Sequence, residues 1–146
     1  MLRNGRLSAT RYHDISCGHR VFGHEGACAH LHGHNYRIYF TVAARQADEV
    51  GRVLDFSVIK SILCDWLEKS WDHRFLVWQR DPLRASLQAL DPTVVEVPFN
   101  PTAENMAAHL VNNIGPMYLP PDITLERVVV EETRKCSAAY ELSKEF

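Results

Sequence analysis

Two histidines flank a glycine at His32-Gly33-His34, and Cys28 lies four residues before the first of them. Successive side chains of a β-strand point to opposite faces, so His32 and His34 share one face. Two imidazoles placed this way can share a zinc ion, and Gly33 leaves the other face uncrowded. A third histidine with an open coordination position would make the site catalytic, whereas four protein ligands would close it as a structural one. Cys28 fits either case. A thiol near a metal or a positive imidazole ionises near neutral pH and can act as a base. It can equally be a fourth ligand or an ordinary buried thiol.

Other residues of reactive type follow. The chain has eight histidines, and His13, His19, His24, His30 and His32 all precede His34 within its first quarter. His19 would sit on the inner face of a first strand and is the candidate third ligand. His13, His24 and His30 read as solvated. Asp72-His73 stands at the end of a helix, where a histidine is also stabilised by the helix dipole. Glu132 shares a strand face with Val128 and Val130 and points inward, and an inward carboxylate needs a partner.

The elements that must position these groups are legible from periodicity. Residues 12–21 read as a strand carrying His13, Ile15, Cys17, His19 and Val21 on one face. A second strand runs over 32–44, with His34, Tyr36, Ile38, Phe40 and Val42 alternating on the apolar side. The loop 23–29 between them carries Cys28. Val58, Ile59, Ile62, Leu63, Trp66 and Leu67 recur at helical spacing over 57–71, with Asp55-Phe56 as a structural lead-in. Residues 79–98 hold three prolines without clear period and read as a long loop. A second helix starts at Thr102, a good N-cap, with Glu104 in its first turn, and Gly115-Pro116 should stop it. Thr102 and Glu104 are therefore candidate binding residues that a helix N-terminus would carry anyway. Residues 125–133 and 137–142 read as a closing strand pair around a 134–136 turn. The order β-β-α-α-β-β predicts an α+β fold: a four-stranded antiparallel sheet with both helices on one face. Its open edges favour oligomerisation.

The chain has 146 residues, is 46% hydrophobic and carries a formal net charge of −2. This suits a single domain over 1–146 with a real core and makes no case for nucleic-acid binding. Residues 1–10, with Arg3 and Arg6, read as a flexible tail. No apolar run approaches the roughly 20 residues of a membrane helix, and the start lacks a signal-peptide pattern. A cytoplasmic protein is expected, with Cys17, Cys28, Cys64 and Cys136 as free thiols or metal-site groups.

Taken together, His19-Arg20, Cys28-x3-His32-Gly33-His34-Asn35-Tyr36, Asp55-Phe56, Asp72-His73, Pro101-Thr102-Ala103-Glu104-Asn105 and Glu132-Thr133 resemble the 6-pyruvoyltetrahydropterin synthase family, most of all its bacterial queuosine-pathway branch. The motifs span residues 12–140 in the family order. The resemblance implies zinc held by His19, His32 and His34, with Cys28 as the catalytic base. It implies Asp72-His73 as a proton relay, the carboxylate fixing the imidazole. It also implies Glu132 as the anchor of a pterin, with Thr133 beside it and with Thr102 and Glu104 near the substrate. Cys17 stands where the family has a small apolar residue, and reads as packing. The implied substrate is 7,8-dihydroneopterin triphosphate, for whose phosphates Arg20, Arg37, Arg74, Arg134 and Lys135 are candidates. The implied reaction eliminates triphosphate and releases acetaldehyde to give 6-carboxy-5,6,7,8-tetrahydropterin, the pyruvoyl product being the alternative. A non-enzymatic structural zinc module is the reading from another class. The resemblance also implies the tunnelling fold, in which subunits join their sheets into a barrel, commonly as a hexameric dimer of trimers with sites at subunit contacts.

Overall fold

The computed structural model describes residue 3 and residues 5–143. Two long strands, β1 (Leu7–His19) and β2 (His32–Ala44), form an antiparallel pair in continuous register from Leu7 opposite Ala44 to His19 opposite His32. Leu7–Thr10 thus belong to β1 and not to the tail expected over 1–10; residues 1, 2 and 4 of that tail lie outside the described residues. Residues 56–70 form helix α1, capped by Asp55, whose carboxylate accepts from the Ser57 amide. Then come β3 (Arg74–Trp78), α2 (Arg84–Leu90) and β4 (Val95–Val97). Helix α3 spans 103–118, and β5 (Thr124–Glu131) and β6 (Ser137–Glu141) close the chain.

The sheet has six strands in the order β4-β3-β1-β2-β5-β6. The four antiparallel strands expected from the sequence lie within it, but β3 pairs parallel to β1 and β4 parallel to β3. This corrects the four-stranded sheet, and α2 and β4 correct the long loop read over 79–98. Their signals were weak for physical reasons. Arg74–Trp78 is a five-residue strand with only four consecutive apolar residues, too short to show a period. Helix α2 has no buried residue, so no apolar stripe marks it.

One face of the sheet packs beneath α1 and α3. Ile15 and Cys17 of β1, Tyr36, Ile38, Phe40 and Val42 of β2, and Val128 and Val130 of β5 are buried there against Leu63 and Leu67 of α1 and Met106 and Leu110 of α3. Each fully buried aliphatic side chain contributes about 1.5–3 kcal/mol. The other face is polar and is crossed by side-chain ladders: Thr10 to Thr41, the Asp14–Arg37 ion pair, and Ser16 to Asn35.

Helix α3 does not stop at Gly115-Pro116, as the local signals predict, but runs on to Tyr118. A Cβ at Gly115 would lie 2.7 Å from Leu125 Cβ, so the glycine permits close packing on β5. The preceding turn, Leu110–Ile114, is a wide π-type turn. Such a turn absorbs the hydrogen bond that Pro116 cannot donate.

Candidate metal centre

β1 and β2 bring the histidines together by register alone. His19 lies directly opposite His32, and His34 opposite Cys17, all on the core-facing side. The strands can approach here because Gly18 faces Gly33. A Cβ at Gly33 would stand 3.0 Å from the Cys17 carbonyl oxygen, and one at Gly18 would stand 2.6 Å from Phe75 Cδ2. β5 delivers a fourth group. Glu132 follows its last residue, and one ligand atom from each of His19, His32, His34 and Glu132 lies within 4.8 Å of the others.

The hydrogen bonds around the rings set their tautomers. His19 Nδ1 is 2.6 Å from the Pro101 carbonyl oxygen, and His32 Nδ1 is 2.7 Å from that of His30. A carbonyl only accepts, so both Nδ1 atoms carry the proton and both Nε2 atoms present lone pairs. These two Nε2 atoms face each other at 3.0 Å. His34 Nε2 is 2.7 Å from Glu132 Oε1, but without hydrogen-bond alignment, so it stays buried with no hydrogen-bond partner. The His19 and His32 lone pairs, the His34 Nε2 atom and a Glu132 carboxylate oxygen therefore converge on one point. A cation relieves that arrangement, and the donor set suits a first-row divalent ion. Burial lowers the pKa of His19 and of His34, against the opposing pull of Glu132, which keeps both rings in the neutral form a metal requires. The carbonyls of Pro101 and His30 orient the rings from behind. Sequence reasoning did not single them out, since a main-chain acceptor leaves no trace in residue type.

Glu132, expected as a pterin anchor and catalytic group and not as a metal ligand, thus stands beside the three imidazoles. Cys28 is half-buried in a short 3-10 turn, Ala27–Ala29, and is not a member of the cluster. It lies near enough to Tyr36 to help raise that phenol's pKa, after burial, Glu132 and Cys17. The Tyr36 hydroxyl is 3.3 Å from both ring nitrogens of His19. Cys17 is buried, and burial pushes its thiol up to about 12, in keeping with a packing role.

Asp72 and His73 pair directly, with His73 Nδ1 2.9 Å from Asp72 Oδ2. The left-handed backbone of His73, φ 58°, turns the chain out of α1 into β3. Burial acts to raise the Asp72 carboxyl, but the Ser16 amide and His73 outweigh it and hold it below its ordinary value. The His73 side chain is 81% exposed. It lines a hollow of about 380 Å³ with Ser16, Gly18, Gly33 and Asn35 of the sheet's polar face and with Cys17 and His34, and it is not itself in the ligand cluster. Thr102 caps α3 by accepting from the Asn105 amide, Glu104 is exposed, and the Thr133 hydroxyl accepts from the Lys135 and Cys136 amides in the β5–β6 turn. Of the candidate phosphate cations, Arg20 is committed to Asp81 and Arg37 to Asp14.

The chain is similar to known proteins in sequence and in fold. A protein from Rickettsia typhi named 6-carboxy-5,6,7,8-tetrahydropterin synthase is 34% identical over 134 residues, covering 89% of this chain and 96% of its own. One of the same name from Haemophilus influenzae is 31% identical, covering 66% of this chain and 73% of its own. The fold matches an uncharacterized protein from Wolinella succinogenes with a TM-score of 0.85 at 21% identity, over 96% of this chain and all of that one. It matches Caenorhabditis elegans 6-pyruvoyl tetrahydropterin synthase with a TM-score of 0.68 at 24% identity, over 98% of this chain and 100% of that one. The 6-pyruvoyl tetrahydropterin synthase family pattern covers residues 8–143, and this chain belongs to that family of enzymes.

Proposed function

We propose that the protein is a zinc-dependent lyase. It converts 7,8-dihydroneopterin triphosphate to 6-carboxy-5,6,7,8-tetrahydropterin, releasing acetaldehyde and triphosphate, in queuosine or related 7-deazapurine biosynthesis. The observation that carries this reading is the convergence of the His19, His32 and His34 ring nitrogens in a family whose relatives bear that name. His19, His32 and His34 would hold the zinc, which when bound supplies a Lewis acid for oxygens of the substrate side chain. Cys28 takes a carbon-bound proton. The Asp72–His73 pair moves a proton on the other side, with the carboxylate fixing the imidazole and raising its basicity. Glu132 accepts from the adjacent N–H and amino groups of the pterin, with Thr133 beside it and Thr102 and Glu104 at the rim.

The exposure of His73 on the polar face supports a shared site. In a cytoplasmic hexamer built as a dimer of trimers, the Asp72–His73 pair of one subunit would serve the cluster of another.

Zinc-loaded protein incubated with 7,8-dihydroneopterin triphosphate should yield a carboxypterin and acetaldehyde by mass spectrometry. A pyruvoylpterin without acetaldehyde would assign the protein to the other product, and untouched substrate would refute the lyase reading. Mixing inactive Cys28→Ala and His73→Ala proteins after partial dissociation should restore part of the activity. No recovery would place the whole site within one chain.

A further inference from the structure

The loop that carries Cys28 has little apolar anchorage. Its 3-10 turn has no buried residue, and Phe22 and Leu31 are 41% and 54% exposed. Polar bonds hold it. The Val21 amide donates to the Cys28 carbonyl at 2.8 Å. Arg20 Nε and Nη2 donate to the two oxygens of Asp81 at 2.6 and 3.0 Å, while Nη1 donates to the Ala29 carbonyl at 3.2 Å. The Asp81 side chain is 0% exposed, and its Oδ1 also accepts from the Leu83 amide at 2.8 Å. Arg20 directly follows His19, and Ala29 directly follows Cys28.

We propose that Arg20 and Asp81 are positioning residues for the Cys28 thiol: buried Asp81 locks the guanidinium, whose remaining arm ties the Cys28 turn to the strand end bearing His19. Only a fork can do this. Asp81 occupies two donors and leaves a third, fixed in the same plane, for Ala29. A lysine ammonium cannot span both partners. The pair is matched in charge and serves to fix distance. Arg20 is therefore withdrawn from the set of phosphate-binding cations. The inference rests on the reading of Cys28 as the group that takes the substrate proton.

The test compares wild type with Arg20→Lys and Asp81→Asn, each zinc-loaded, scored by zinc content, circular dichroism, kcat and KM. A second readout needs no substrate: the rate at which iodoacetamide alkylates Cys28, followed by peptide mass spectrometry, with exposed Cys136 as internal reference. A group displaced by about 1 Å costs on the order of 10²-fold in rate. Arg20→Lys should therefore stay folded with full zinc, lose about 10- to 100-fold in kcat with KM within about twofold, and change the Cys28 rate at least about threefold while leaving Cys136 unchanged. Wild-type kcat and Cys28 reactivity in Arg20→Lys would overturn the proposal, as would a kcat loss that merely tracks lost zinc or lost folded protein. If Asp81→Asn does not fold, Arg20→Lys alone decides. If wild type itself does not turn over dihydroneopterin triphosphate, the proposed function fails. The alkylation rates then still decide the positioning claim, a changed Cys28 rate supporting it and an unchanged one overturning it.

Discussion

Gly33 is the residue of the His-Gly-His motif with no chemistry of its own, and Gly33→Ala tests why it is there. The added Cβ would lie 3.0 Å from the Cys17 carbonyl oxygen and 3.4 Å from Gly18 Cα. Both are backbone atoms of a paired strand, which cannot rotate away as a side chain can. Ordinary contact requires β1 and β2 to part by roughly 0.5 Å, taking contacts to be comfortable from about 3.5 Å. Overpacking costs about 1–3 kcal/mol, and replacing a strand glycine by alanine returns about 0.5–1 kcal/mol of backbone entropy. The expected net loss is about 1 kcal/mol, or about 2–4 °C in Tm for a chain of this size. The larger effect falls on the metal. His19 and His32, directly opposed on these strands, would move apart by more than the tolerance of about 0.2 Å on ligand distances. Zinc affinity should therefore fall at least about tenfold, or about 1.4 kcal/mol. Calorimetric melting of the metal-free protein and competitive zinc titration measure the two effects separately. Wild-type zinc affinity in Gly33→Ala would refute the argument that close strand approach shapes the site, and so would a rise in Tm.

Cys28→Ala should keep zinc content and Tm and lose turnover, whereas a fourth structural ligand would lose the metal, as elemental analysis would reveal. Thr102→Ala removes the cap of α3 and should lower stability by about 1 kcal/mol in urea titration, and a KM change beyond about threefold at unchanged kcat would instead make Thr102 a substrate contact. The metal-free protein should weaken in acid. Unfolded imidazoles titrate near about 6.5, while burial holds His19 and His34 lower in the native state, so below that pH the unfolded chain binds more protons. Stability is then full above about pH 6.5 and lost as pH falls below it, and a urea midpoint that rises from pH 7.5 to 5.5 in chelator would contradict this.

The candidate triad was legible because it is written in local code. Alternation puts His32 and His34 on one face whatever the rest of the chain does, and an antiparallel partner carrying His19 needs only the connecting loop to be short. Helices α1 and α3 announced themselves by apolar stripes, since each must bury one side. The strands β3 and β4 did not, because short parallel strands depend on partners far along the chain for their hydrogen bonds and show no period of their own. At Gly115-Pro116 a local stop signal yielded to packing against Leu125, because burial across the helix outweighs the preference of two residues.

The sequence by itself determined the donor types and the face they share: imidazoles spaced for a strand, a thiol in the preceding loop, and an inward carboxylate at Glu132. Only the tertiary structure decided their chemical state. The proton on His19 Nδ1 is set by a carbonyl at Pro101, 82 residues away, and the guanidinium beside the Cys28 turn is locked by Asp81, 61 residues from Arg20. Glu132 reaches the cluster because β5 lies next to β2. Which lone pair is free, and which charge is neutralised, depends on angstrom-scale contacts between distant segments, and these exist only once the chain has folded.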